Sequence, residues 1–495
     1  MTWCAAAPGA DAAARAAACD GVARRIESEA IETVRVGWCD QHGVLRGKTL
    51  VASALADAFA SGVGMASTIL LKDTSDRTAY RVFEAGGVGA ALPGFGFANN
   101  LVLRLDPTSF RVLPWARATG WVRAEACFED GAPVPIDTRR ILQAALACLA
   151  DAGFGMRCGL EVEFHIYRLV APEEDPSLDP ARAAWPGEPP QVTMIHPGYN
   201  LLAEGWADMA DEPFEIVRAT AEGLGLPLRS LEIELGPSQV EAVFDPSDAL
   251  TAADRMVLFR NGVRQALRRA GYHASFVCRP PFPNVMASGW HLHQSLIDPA
   301  SGANAFVRAA PQSGSDAGDA LHTLSDVGAQ YLAGLLAHGR AMAPFCVPTV
   351  NAYARFRPDA MAPQSVLWGR DNRGAMLRVL GRSGDAATRI ENRIGEPMAN
   401  PYLYIAAQIH AGLDGIGRRL AAPKAAGAPY AGAGEPLPTS LGEALAALAA
   451  DQVLARAFTP QVVDWYTRIK RSELERHAAA QNSDTWQARE YFSRF

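Results

Sequence analysis

Four short segments, far apart in the chain, carry acids, histidines and arginines at alternate positions: Glu161-Val162-Glu163, Glu234 through Glu241, His291-Leu292-His293 and Arg389-Ile390-Glu391-Asn392-Arg393. In a β-strand every second side chain points to the same face. The apolar partners Val162, Phe164, Ile166, Trp290, Leu292, Ile390 and Ile394 then turn to a core, and the charged groups converge on one cavity. So many carboxylates in one place would repel one another and hold protons unless divalent cations and an anionic ligand sat among them. Carboxylate oxygens joined by an imidazole suit Mg²⁺ or Mn²⁺. The pattern predicts a metal-dependent enzyme acting on a phosphate-bearing substrate.

The elements that must position these groups can be read in outline. Residues 31–51 form a strand, a turn at Asp40-Gln41-His42-Gly43 and a second strand, with further apolar runs at 100–105 and 121–128. Residues 25–128 therefore read as a small β-rich domain, preceded by an alanine-rich, flexible extension (1–24), frayed or helical, whose run is broken by Pro8, Asp11 and Arg15. Pro133-Val134-Pro135 marks a boundary. Asp137 or Thr138 then caps a helix striped with Ile141, Leu142, Ala145, Leu146 and Leu149. From 129 to 495 the pattern is α+β. Strands are expected over 158–168, 229–235, 239–244 and 287–297, and helices from 212, across 251–270 and 324–342, and from Pro401. Polar excursions fall at 171–190 and 299–319, and an Ala/Gly/Pro connection at 421–437.

Composition excludes several classes. Of 495 residues 49% are apolar, enough for a sizeable core. The net charge of −7, with no basic run, argues against nucleic acid as partner. Eight cysteines lack any C-x-x-C pair, which points to reduced thiols in a cytoplasm. No stretch approaches the ~18 apolar residues that span a membrane. Arginine is the dominant cation and most of the arginines of chemical interest lie between 355 and 393, and planar guanidinium suits carboxylate and phosphate.

Glu161-x-Glu163, Glu234-Leu-Gly-Pro-Ser-Gln239-x-Glu241, Ser288-Gly-Trp-His291-x-His293-x-Ser295, Asn351-Ala-Tyr-Ala-Arg355, Arg389-Ile-Glu391-x-Arg393 and Ala399-Asn-Pro-Tyr-Leu403 occur in that order. This resembles the glutamine synthetase superfamily, most of all its γ-glutamylamide synthetase branch, from about residue 30 onward. The resemblance implies a small β-grasp domain and a large catalytic domain whose curved antiparallel half-barrel sheet is flanked by helices. It implies ATP and two or three Mg²⁺ or Mn²⁺. Glu163, Glu234 and Glu241 would hold one ion, and Glu161, His291 and Glu391 a second. His293 and Ser295 would lie at the nucleotide, Arg373 and Arg378 at its phosphates, Arg389 beside it, and Arg355 and Arg393 at the substrate carboxylate or the transferred phosphoryl group. Asp40 matches an aspartate that reaches a neighbouring subunit's site and helps deprotonate the nucleophile, although Asp40 to Gly43 also has the composition of a simple hairpin turn. The resemblance further implies stacked rings, a dodecamer.

Departures cluster at the acceptor end. Met361 stands where ammonia-using members carry a flap glutamate, Met65 where they carry an aspartate before a Gly-Ser-Ser turn, and Met286-Ala287 where they carry a glutamate-holding Asn-Gly pair. Met361 and Met65 offer no acceptor for ammonium and line apolar pockets well, whereas Met286-Ala287 bears on the acid and leaves Arg355 and Arg393 to bind its carboxylate. The expectation is an ATP-dependent carboxylate–amine ligase joining L-glutamate to an apolar alkyl or aromatic amine through γ-glutamyl phosphate. The alternatives are ordinary glutamine synthesis from ammonia, and a structural or regulatory protein that has kept only the fold.

Overall fold

The computed structural model describes residues 10–84, 88–89, 91–96, 98–171, 175–357, 361–432 and 434–495. Two sheets carry the molecule. The smaller has five strands in the order Leu45–Val51, Thr33–Cys39, Thr119–Cys127, Asn100–Val112 and Val63–Ala66. The pair Thr33–Cys39 and Thr119–Cys127 is parallel and the others are antiparallel. Alternation decides its faces: Val34, Val36 and Trp38 are buried in the core while Arg35 is not. The helix Ala10–Ser28 crosses the boundary expected at 24/25 and is no loose lead-in. Arg15 ties it down through Leu105 O (3.0 Å) and Phe59 O (3.1 Å).

The turn of the first hairpin joins the two sheets. Gly43 has φ +77°, and a Cβ there would stand 2.4 Å from Arg260 Nη2, so only glycine lets this guanidinium reach Gly43 O at 2.5 Å. The same buried arginine donates to Pro397 O, and Asn400 Nδ2 donates to Asp40 O at 2.9 Å.

The larger sheet curves as a half-barrel against helices. Its central strand, Gly155–Leu169, pairs antiparallel with Trp290–Ile297 on one side and Gln239–Phe244 on the other. Arg389–Asn392 and Leu377–Leu380 extend one edge and Leu228–Ile233 the other. One pair departs from the expected antiparallel pattern: Trp368–Arg370 runs parallel to Leu377–Leu380. Register places His291 opposite Glu161, Glu241 opposite Glu163, and Glu391 opposite both His293 and Arg378. A slip of one residue would turn all of these into the core.

The opposite face holds Val162, Phe164 and Ile166, fully buried, with Phe164 stacked on Phe276 at 4.8 Å and edge-on to Phe259 of the helix Ala249–Arg269. Asp137 caps the helix Thr138–Asp151, accepting from Arg139 N and Arg140 N. The helix expected across 324–342 is two, Asp326–Ala337 and Gly339–Cys346, broken at His338. That ring is held between Asp414 and Asp451 and so fixes the break from outside the helix. The helix Pro401–Gly417 is capped by Asn400 and buried for most of its length.

Candidate active site

The inward faces of four strands bring the acids together. Glu163, Glu234 and Glu241 each offer an oxygen within 4.8 Å of the others. His291 Nδ1 lies 3.5 Å from Glu161, 3.8 Å from Glu391 and 4.0 Å from Glu241, and its Nε2 lies 3.7 Å from Glu163. His293 Nε2 stands 2.9 Å from Glu161, and a trio of Glu161, His293 and Glu391 is equally compact. The six residues expected to ligate metal thus share one cluster, with His293 at its edge.

Electrostatics show what the cluster lacks. Burial, then the Glu163 charge, pushes the Glu241 carboxyl up to about 10 and the Glu234 carboxyl up to about 8. Burial works against ionised Glu161 too, but its contacts with His291 and His293 hold it well below the carboxylate range. Glu391, fully buried, is likewise held low against burial by its neighbours His291 and Arg393. Burial and then Arg393 lower His291 and favour its neutral form, and its buried Nε2 has no hydrogen-bond partner among the described residues. Neutral imidazole beside carboxylates that cannot all ionise is a donor set suited to Mg²⁺ or Mn²⁺.

Two arginines clamp Glu391: Arg378 Nη1 at 3.0 Å and Arg393 Nη1. Arg378 also pairs with Asp371 at 2.5 Å, a partner with no signal in the sequence. Arg393 Nε donates to Arg373 O at 2.9 Å, whereas the Arg373 side chain stands exposed on its turn. Arg355 is buried, donating to Gly395 O (3.1 Å) and Ile394 O (3.3 Å). A Cβ at Gly289 would stand 2.4 Å from Arg355 Nη2 and 3.0 Å from His291 Nε2, so that glycine keeps arginine and imidazole side by side.

Beyond Glu161 the floor opens into a cleft of ≈ 1020 Å³ lined by His293, Ser295, Arg389, Arg157, Arg229 and Asn304 among others. Arg389 Nε donates to His293 Nδ1 at 3.0 Å. The three residues expected at the nucleotide therefore line one cleft that opens directly off the acids. Arg157 went unread, although it extends the alternation Arg157-x-Gly159-x-Glu161-x-Glu163 backwards along the same strand. On the acceptor side, Gln239 Nε2 donates to Ser288 Oγ (3.1 Å) and Ala287 O (3.3 Å), and Gly289 N donates to Glu163 at 2.7 Å. Met286 packs against Gly236, and Met361, at φ +47°, is 54% exposed.

Two expected site residues do not belong here. The Asp40 side chain is fully buried in its own hairpin, Oδ1 accepting from His42 N and Val44 N (both 2.9 Å) and Oδ2 from Arg46 Nε (2.8 Å). It has no face left for a neighbouring subunit, and the turn reading replaces the catalytic one. Met65 lies on the strand Val63–Ala66, 4% exposed within the core of the smaller sheet. It cannot line an amine pocket, because the core already encloses it.

The family profile described as glutamine synthetase, catalytic domain, matches residues 135–491. A gamma-glutamylanilide synthase of Acinetobacter sp is 39% identical over 493 residues, 96% of either chain. A gamma-glutamylethanolamide synthetase, GlnA4, of Streptomyces coelicolor is 30% identical over 470 residues, 94% of this chain and 93% of the other. Among solved structures, ligand-free GmaS superposes with a TM-score of 0.73 at 27% identity, over 94% of this chain and 98% of that one. The chain belongs to the glutamine synthetase family. It is an ATP-dependent ligase of that family, whose members use ATP and divalent metals.

Proposed function

We propose that this ligase joins L-glutamate to an apolar amine, foremost an aromatic one, giving a γ-glutamylamide. The observation that carries the reading is Met361, where ammonia-using members hold a flap glutamate, in a chain 39% identical to a gamma-glutamylanilide synthase. An aromatic amine is a weak base that arrives uncharged, so it needs no carboxylate to take a proton before attack. An ammonium ion needs several acceptors.

Two steps follow. An oxygen of the γ-carboxylate attacks the γ-phosphorus of ATP and ADP leaves, giving γ-glutamyl phosphate. The amine lone pair then attacks the acyl carbon, the nitrogen loses a proton, and inorganic phosphate leaves. Arg355 and Arg393 orient the carboxylate. Arg378 and Arg373 face the phosphates, and His293, Ser295 and Arg389 hold the nucleotide side. Glu163, Glu234 and Glu241 would hold one divalent ion, and Glu161, His291 and Glu391 a second. When bound, the ions supply positive charge at phosphate oxygens, where phosphoryl transfer takes most of its rate enhancement. A third ion, assembly into stacked rings as a dodecamer, and a cytoplasmic setting complete the proposal.

The test is ADP release by the purified protein with glutamate, ATP and Mg²⁺ across aniline, isopropylamine, ethanolamine, putrescine and ammonia, with mass spectrometry of the product. Aniline or isopropylamine is expected to give the highest kcat/KM. Ammonia as the best acceptor would overturn the assignment.

A further inference from the structure

The motif Asn351-Ala-Tyr-Ala-Arg355 has a job for its arginine and none yet for its asparagine. In the structure these five residues form one short turn with Arg355 at its end. Asn351 is buried at the start of the turn, and its side chain bonds to Arg279 and Gln487 and to none of the acids. Its Oδ1 accepts from Arg279 N at 2.8 Å, and its Nδ2 donates to Arg279 O at 3.0 Å and to Gln487 Oε1 at 2.8 Å. The Gln487 amide is itself oriented, since its Nε2 donates to Ser483 Oγ at 2.9 Å. One residue before Asn351, Val350 N donates to Tyr491 OH at 3.3 Å, and that hydroxyl donates to the buried carboxylate of Glu473.

We infer that Gln487 and Tyr491, in the C-terminal segment, are positioning residues for Arg355, acting through Asn351 and Val350. The inference rests on the reading of Arg355 as a substrate-carboxylate group. Without the segment, the start of the turn would be held by Arg279 and by Thr349, whose N and Oγ1 donate to Glu396. The segment is well fixed for such a task. Glu490 accepts from Arg476, Thr74 and Ser75, so the segment that braces the Arg355 turn through Gln487 and Tyr491 also binds the loop at 73–77 beside the smaller sheet. Tyr491 and Phe495 pack with Val277 and Met398 in an apolar cluster separate from the main core. The terminus thus links three places: the smaller domain, the loop at 277–279 and the carboxylate-binding turn.

A segment that merely closes the core would affect every parameter together. A positioning segment should act on one substrate. Gln487→Ala and Tyr491→Phe are each expected to raise KM for glutamate about three- to tenfold, the fold-change of one neutral hydrogen bond. KM for ATP should stay within about twofold and the melting temperature within about 2 °C. Gln487→Glu keeps the acceptor oxygen and should stay near the parent. The double variant Asn351→Ala with Gln487→Ala should be no worse than Asn351→Ala alone, because the glutamine acts through the asparagine. Arg355→Gln serves as the reference. If it raises KM for glutamate while Gln487→Ala and Tyr491→Phe do not, or if those two raise both KM values together with a fall in melting temperature, the positioning role is overturned. If Arg355→Gln itself leaves KM for glutamate unchanged, the reading of Arg355 fails and the inference falls with it.

Discussion

His293 Nε2 lies 2.9 Å from Glu161 while His293 Nδ1 accepts from Arg389 Nε at 3.0 Å. A neutral imidazole that accepts at one nitrogen carries its proton on the other. In the tautomer that Arg389 sets, the hydrogen of His293 sits on Nε2, which makes no hydrogen bond among the described residues despite its closeness to Glu161. Of the two compact trios containing Glu161 and a histidine, the one with His291 keeps a free imidazole lone pair for a cation. His293 is left between the acid cluster and the cleft beyond Glu161, with its Nε2–H unpaired among the described residues.

This separation of roles can be counted. His291→Ala should lower the number of Mn²⁺ ions bound per chain by one, measured by electron paramagnetic resonance. His293→Ala should leave that number unchanged and, if Nε2–H donates to an ATP phosphate as proposed, raise KM for ATP by about tenfold, the value of a charge-assisted hydrogen bond. Loss of an ion from the His293 variant would reverse the assignment.

The acids also predict how the metal-free protein responds to pH. Glu234 and Glu241 have folded-state values, about 8 and about 10, above the ordinary carboxylate range. A carboxyl raised in this way binds its proton more tightly in the folded chain, so its stabilising contribution is full below the unfolded value near 4.5 and is lost as pH rises through the folded one. Metal-free protein is expected to lose about 2 kcal/mol or more of stability between pH 5 and pH 9 in denaturant titrations. Saturating Mg²⁺ should flatten the profile and Glu241→Gln should reduce its slope. A metal-free profile that rises with pH would contradict the cluster's electrostatics.

The residues that sequence alone made legible are those whose chemistry repeats with the period of a strand. Glu161 with Glu163, His291 with His293 and Glu391 with Arg393 announce an inward face, because alternation with Val162, Leu292 and Ile390 leaves no other reading. What stayed hidden depends on contacts with no local period. Asp371 reaches Arg378 across a turn, and Gln487 reaches Asn351 from 136 residues away. Asp40 was misread for a related reason: an aspartate opening a hairpin looks the same in sequence whether its carboxylate faces a neighbour or its own backbone amides. Met65 failed because resemblance gave its position in a motif but not its side of the sheet.

The corrected role of Asp40 has its own consequence. Its carboxylate accepts two backbone N–H groups and pairs with Arg46, which also holds Asp76 at 2.9 Å. Asp40→Asn is expected to lower stability by about 2 kcal/mol, the cost of weakening a buried charged acceptor. Activity per folded molecule should change less than about threefold, small beside the 10²–10⁴-fold expected on losing a general base. Steady-state rates measured well below the variant's melting temperature decide the matter. A thousandfold loss of kcat in a fully folded variant would restore the catalytic reading.

Met361 gives the sharpest test of the amine. Its side chain is 54% exposed and its backbone sits at φ +47°, so a polar replacement meets neither a packed core nor a new backbone demand. Met361→Glu should therefore leave the melting temperature within about 1 °C. A carboxylate there attracts an ammonium ion by roughly 1 kcal/mol at 4 Å in water and by about 4 kcal/mol where solvent is partly excluded. The kcat/KM ratio of ammonia to aniline should then rise by at least about tenfold. Met361→Gln, the same shape without the charge, should shift the ratio much less. If glutamate and glutamine give the same ratio as methionine, residue 361 does not face the incoming nitrogen. The apolar-amine reading would then rest on the 39% identity to a gamma-glutamylanilide synthase alone.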